Sequence, residues 1–432
     1  MNMKRMMMVA MAMVAGTLMA DVSVEDIKCT QRYPWNGLVD IEYTIACDDP
    51  DAEIYVNPVG YNGDTGLTVF PTHFTGDGAT NTVKSGKHTM VWDAKADMGL
   101  FASKNFQIKM YAGKKLSRYI VVDLSSGPDG DNFPIRYSLT GPDISDDTCR
   151  TTELWLRLIP PGTFMMGSPA DELGRSDNED LHKVTITEPF YIGVFEVTHE
   201  QWYRVMGSRS SYFGQGFEGY PVTHKKWTNL RGSAYDDYSH YTHNHELGSC
   251  YYLPTSPIVD NSKFIGKLRA KTDLDGFDLP AEAQWEYACR LGSVTALDNS
   301  GMTGLNGCNN LNKLGRYYVN GSQGSSNWGS DNHSTAKVGS YEPNAYGLYD
   351  MHGNVAEICL DAWRDHIGIS PDTDPCYGGT ITGRGVSDWC GVVRGGSWES
   401  FAGSCRAASR ERETGDDGRF GFRISCPGNL QK

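Results

Sequence analysis

The chain has 432 residues, with 39 Lys and Arg against 53 Asp and Glu and a formal charge of −14. Phosphate backbones and anionic lipid faces are met by Lys and Arg, so this balance argues against both as partners. The length allows two or three domains.

Lys4-Arg5 precedes an apolar run from Met6 to Leu18, and Met19-Ala20 follows. A basic start, a short apolar stretch and a small residue together read as a secretory signal over residues 1–20. The run is too short to span a bilayer, and no other stretch reaches that length. The mature protein is therefore expected to be secreted or periplasmic, at the cell envelope. In that setting eleven cysteines read as disulfides, and the odd count leaves at least one thiol over. No C-x-x-C pair is present, which argues against a zinc ribbon.

Residues 21–122 read as an all-β sandwich of immunoglobulin or fibronectin type. Val39–Ile45 alternates apolar and polar side chains, as a half-buried strand does. The runs 53–56, 67–70, 88–92 and 106–111 repeat the pattern, with Gly, Asn and Asp clusters between them. Cys29 and Cys47 flank the first hairpin and would staple it. Residues 123–150 are rich in turn residues and read as a linker, with one short strand near Ile135.

Residues 151–427 form the last expected domain. Thr198-His-Glu-Gln201 is a capping box: the Thr hydroxyl accepts from the third N–H while Gln201 reaches back. Trp202, Val205 and Met206 continue that helix. A second helix is predicted through residues 262–271, with Phe264, Ile265 and Leu268 on one face. A third follows Leu279-Pro280 and ends at Gly292. The rest is dense in Gly, Asn, Asp and aromatics. Long loops of that kind need ions or disulfides to hold them.

Eight segments, in order, resemble the formylglycine-generating (sulfatase-modifying factor) family. They include Gly162-Thr-Phe-Met-Met-Gly-Ser168, Phe190-Tyr-Ile-Gly-Val-Phe-Glu-Val-Thr198, the helix around Trp285, Pro343–Glu357, Arg394-Gly-Gly-Ser-Trp398 and Gly421-Phe-Arg423. The resemblance implies an α+β chain whose C-terminal part has an irregular, C-type-lectin-like fold with bound calcium. It also implies an oxidase that holds Cu(I) between two thiolates, soft ligands suited to that ion.

Counting forward from Ser397, the family's first cysteine position is Ser400 and the second is Cys405. Counting backward from Arg410, Cys405 instead lies beside a structural cysteine whose partner position is Cys289, which implies a Cys289–Cys405 disulfide. In either register the pair is broken, because a serine hydroxyl does not replace a soft thiolate. Ser397, Ser400 and Cys405 are thus vestigial catalytic positions, and copper chemistry is not expected.

For calcium, the family's loop places the Asp350 carboxylate, the Gly353 and Val355 carbonyls and Glu357 as ligands, a hard-oxygen set. A second site is implied at Asn310 and the Leu311 carbonyl. His240, His243 and His245, with Asp236 or Asp237, have the spacing of Fe(II) or Zn(II) ligands, but nothing fixes those rings, and they read as a polar insertion. Glu399, Arg410, Glu411 and Arg412 are candidates to line a ligand groove, with Arg410 and Arg423 in structural ion pairs as the alternative. The expectation is a calcium-stabilised, non-catalytic module that binds a protein, peptide or glycan at the cell envelope. A divergent oxidoreductase or non-haem iron enzyme is the competing reading. Cys359, Cys376 and Cys390 are left unassigned.

Overall fold

The computed structural model describes residues 22–99, 103–209, 216–232, 259–298, 300–321, 335–377, 391–414 and 417–429. The expected signal segment, the histidine cluster and Cys390 lie outside them. The chain divides into two compact units.

The first unit holds the described residues through Tyr119, together with Tyr137–Thr140 and Gly162–Phe164. Its strands are β1 (Val22–Gln31), β2 (Leu38–Cys47), β3 (Tyr55–Asn62), β4 (Leu67–Val69), β5 (Phe74–Gly76), β6 (Gly86–Asp93) and β7 (Phe106–Gly113). They form two antiparallel sheets, ordered β1-β2-β6-β5 and β4-β3-β7. Ile41, Tyr43, Ile45, Met90 and Trp92 of one sheet share a core with Val56, Ile108 and Met110 of the other. That is the period-2 burial the alternating runs demand. A five-residue helix, α1 (Ala94–Met98), follows β6, capped by the Asp93 carboxylate accepting from the Ala96 N–H.

The register of β1 on β2 corrects one expectation. Cys29 lies opposite Ile41, and Cys47 opposite Val22. At ~3.3 Å per residue the two cysteines stand far beyond the Cα separation a disulfide spans. Both carry free thiols.

The second unit contains most of β8 (Tyr119–Asp123) and half of β9 (Ile135–Ser138), then α2 (Thr148–Thr151) and β10 (Glu153–Ile159). The span read as a linker therefore carries a strand and a helical turn. Next in the chain come β11 (Gly162–Met166), whose first three residues belong to the first unit, then β12 (His182–Ile186), β13 (Phe190–Gly193) and α3 (His199–Met206). The helices α4 (Trp227–Arg231), α5 (Phe264–Thr272), α6 (Glu282–Arg290) and α7 (Tyr318–Gly321) precede the last strands. These are β14 (Ala356–Ala362), β15 (Asp372–Thr373), β16 (Gly391–Arg394), β17 (Arg410–Arg412), β18 (Phe420–Gly421) and β19 (Ser425–Pro427). The ladders run β19-β13-β10-β8-β9, β11-β12-β15 and β17-β16-β14-β18.

The capping box forms as read: Thr198 Oγ1 accepts from the Gln201 N–H at 3.2 Å, and Gln201 Oε1 accepts from the Thr198 N–H at 3.0 Å. Trp202 stacks on Phe264 of α5 at 5.4 Å, so the aromatic stripe is core. The third helix ends at Arg290, two residues before the glycine expected to stop it, because Leu291 itself takes the left-handed cap at φ 41°.

Candidate functional site

Strand β16 ends in Arg394, whose guanidinium is buried. It pairs with Glu286 and donates to the carbonyls of Ala407, Ala408 and Ser409 at 2.7–2.9 Å. The chain between these points turns out at Gly395 and Gly396 in left-handed conformations. A side chain at Gly396 would meet the Cys405 sulfur at 2.8 Å, so the turn closes only with glycine.

Past this turn the two serines face each other. Ser400 Oγ accepts from the Ser397 N–H at 3.0 Å, and the two hydroxyls lie 3.1 Å apart. The Ser400 carbonyl accepts from the Tyr318 N–H at 2.9 Å. Phe401 then packs against Tyr318, tilted at 53° with the ring centres 4.7 Å apart, while remaining 49% exposed. Leu305 is 42% exposed, and its carbonyl accepts from the Gly403 N–H. The face beside Ser400 is thus apolar and aromatic with hydroxyls at its edge.

Cys405 is fully buried, and burial pushes its thiol up to about 12. Its sulfur points to the Phe401 carbonyl at 3.8 Å. It is not bonded to Cys289, which corrects the implied disulfide. Both residues neighbour the ring of His352. Its Nε2 lies 3.7 Å from the Cys289 sulfur, and its Nδ1 lies 2.8 Å from the Cys405 carbonyl oxygen. Among the described residues no disulfide is formed.

The predicted calcium loop gathers four buried charged groups. Asp350 takes a left-handed φ of 59°, and a side chain at Gly353 would overlap the Arg316 carbonyl. Asp350 Oδ2 accepts from the Gly339 N–H at 2.7 Å; its Oδ1 is buried without a hydrogen-bond partner. Burial, with Glu357 nearby, pushes this carboxyl up to about 6. That orphan oxygen suits a hard cation. Glu357 does not: Arg423 takes both of its oxygens at 2.5 Å, and the Trp285 indole N–H adds 2.7 Å to one. The donor set thus fits calcium on the Asp350 side only.

Sequence reasoning missed Glu196. It is buried just after β13 and accepts from the Val355 N–H at 3.0 Å and the Asn354 amide at 2.5 Å. Burial, with Asp350 and Glu357 beside it, raises its carboxyl well above the usual range. The available signal was its place in the segment Phe195-Glu196-Val197-Thr198, quoted for resemblance and not for chemistry.

The other candidates disperse. Asn310 donates to the Gly301 carbonyl, and the Leu311 carbonyl accepts from the N–H groups of Leu314 and Gly315. Arg410 is buried against Glu282 at 2.5 Å, so it lines no groove. Glu411 faces Arg419, and Arg412 pairs at the surface with Asp365. No group of three or more His, Cys, Asp or Glu with metal-holding geometry occurs among the described residues.

Residues 144–426 match the sulfatase-modifying factor enzyme 1-like domain. The chain belongs to that family. Within it, mouse formylglycine-generating enzyme is 27% identical over 300 residues, covering 62% of this chain and 74% of its own. A chaperone protein, LppX of Paenibacillus barcinonensis, is 31% identical over 200 residues, covering 42% and 65%. The structure of PvdO from Pseudomonas aeruginosa has a TM-score of 0.45 and 24% identity, covering 63% of this chain and 94% of that one.

Proposed function

We propose that this chain is a binding member of its family and not a formylglycine-forming oxidase. One observation carries the reading. Where the resemblance expects a thiolate pair, the chain has the Ser400 hydroxyl, bonded to Ser397, and a buried, protonated Cys405. Two-coordinate Cu(I) needs two soft anionic sulfurs, and neither position supplies one.

The ligand we favour is a polypeptide segment with an apolar side chain. The Phe401–Tyr318 pair and Leu305 offer an exposed aromatic and aliphatic surface, and the Ser400 and Glu399 groups beside it offer polar contacts. The relative LppX is named a chaperone protein, and chaperones handle polypeptide. Calcium, in this reading, is held by Asp350 and the neighbouring carbonyls of Gly353 and Val355, and would neutralise the excess of buried carboxylate. Export to the cell envelope completes the proposal, on the strength of residues 1–20.

Two experiments test it. The protein is incubated with a Cys-x-Pro-x-Arg peptide, Cu(I) and oxygen; the cysteine is expected to remain intact, and its conversion to formylglycine would overturn the reading. Peptide-array binding is then compared between wild type and Phe401→Ala. A fall of roughly tenfold is expected for a central aromatic contact, and unchanged binding would remove this face as the site. Terbium luminescence, lost in Asp350→Asn, reports the calcium claim separately.

A further inference from the structure

Two thiols that the resemblance does not pair share one small buried cluster. Cys308 and Cys405 pack there with Leu297, Leu311, Tyr317 and Ala402. Cys308 lies three residues before the tight turn Leu311–Lys313, and its carbonyl accepts from the Asn312 N–H. Its sulfur is ringed by donors: the Thr303 N–H and hydroxyl each lie at 3.4 Å. Burial alone would raise this thiol. The Thr303 donors and the N–H groups of Leu311 and Asn310 outweigh it and bring the thiol below its ordinary value. Cys405 is the opposite case, buried and held protonated. Tyr317 lies within the influence of both sulfurs, and its hydroxyl accepts from the Cys308 N–H at 3.1 Å. Cys289 is not bonded to Cys405, and His352 meets its sulfur.

We propose that Cys308 and Cys405 are a redox pair that closes to a disulfide under mild oxidation, fastening the segment 301–311 to the turn 402–405. A thiol whose ionised form is favoured by donors at 3.4 Å, beside a thiol held protonated, is the arrangement of an attacking and a resolving cysteine. With hydrogen peroxide as oxidant, the Cys308 thiolate attacks one oxygen and the O–O bond breaks. The departing hydroxide takes a proton and becomes water, leaving Cys308 as sulfenic acid. The Cys405 sulfur then bonds to the Cys308 sulfur, its proton joins the sulfenic hydroxyl, and a second water leaves. Two thiols and one peroxide thus give one disulfide and two waters. The bridge joins the two segments that carry Leu305 and Phe401, and its formation does not depend on that face binding a ligand.

The intact protein is exposed to a stoichiometric amount of peroxide, remaining thiols are alkylated, and the unreduced digest is mapped by mass spectrometry. A Cys308–Cys405 cross-linked peptide that disappears on reduction is expected. In Cys405→Ala, the same treatment leaves Cys308 as sulfenic acid, and its labelling by dimedone rises several-fold over wild type. Recovery of both cysteines as unmodified thiols, of Cys308 as sulfinic acid beside a free Cys405, or of either bonded to another cysteine would overturn the pair. Should the alanine variant fold poorly, the wild-type map alone decides.

Discussion

In the β-sandwich unit, Ile41, Tyr43, Ile45 and Met90 face a shared apolar core, and the ion pairs Lys28–Glu42, Arg32–Asp40 and Lys84–Asp51 stand in solvent. The second unit adds buried ion pairs to its apolar core. Arg394 with Glu286, Arg406 with Glu179, Arg410 with Glu282 and Arg423 with Glu357 are buried at both ends. An apolar core needs only surface removed from water, and small changes leave it folded. Buried pairs cost desolvation that is recovered only with full hydrogen bonding, so each pair tolerates little. The contrast teaches how the loop-rich unit keeps so definite a shape: buried charge geometry is added to its short strands and apolar core.

The contrast can be broken by four measurements, best read as hydrogen exchange resolved by unit. Arg394→Met strands the Glu286 carboxylate beside a single remaining arginine and frees three carbonyls. A loss of about 3–5 kcal/mol is expected in the second unit. Ile41→Ala opens a cavity in the sandwich and costs about 2–5 kcal/mol there, with the second unit unmoved.

The third is a pH series. Burial, with Glu282 nearby, pushes Asp361 up to about 7, and burial pushes Glu413 up to about 7. Both lie above the ~4 of an unfolded carboxyl, so the folded state binds these protons more tightly. Their contribution is fully present below pH ~4 and is lost as pH rises through about 7, each group contributing a slope of about 1.4 kcal/mol per unit in that window. Asp361→Asn is expected to flatten the decline seen by urea denaturation, and an unchanged slope would show that this carboxyl does not set it. The smallest effect belongs to Lys28→Ala, at about 0–1 kcal/mol, because the pair is exposed and screened.

Legibility in the sequence followed the same division. Strands β2, β6 and β7 announce themselves by alternation. Strand β1 does not, because a bulge between Glu25 and Lys28, with Asp26 at φ 51°, throws the alternation out of step. Helix α3 was legible from its cap. Strand β14 was not: Glu357 and Asp361 alternate with apolar residues but are buried too, so polarity does not mark a solvent face there. In the site, Asp350 and Ser400 were found by position along the chain. The partners that decide their chemistry were hidden by distance. Glu196 meets Asn354 across 158 residues, and Arg394 meets Glu286 across 108. No local pattern encodes such a meeting. The cysteines show the same thing: strand register separates Cys29 from Cys47, Cys289 and Cys405 stay free thiols, and spacing alone misjudged both pairs.

Arg394 also has a consequence for engineering. Because one guanidinium grips the carbonyls of Ala407, Ala408 and Ser409 while its own backbone begins the outgoing turn, both feet of the 395–406 loop rest on a single clasp. The tip at Glu399–Phe401 then stands on a base that the clasp holds fixed. Foreign sequences grafted at that tip would inherit a closed, preorganised base, which makes this short stretch the natural place to install new recognition on the scaffold.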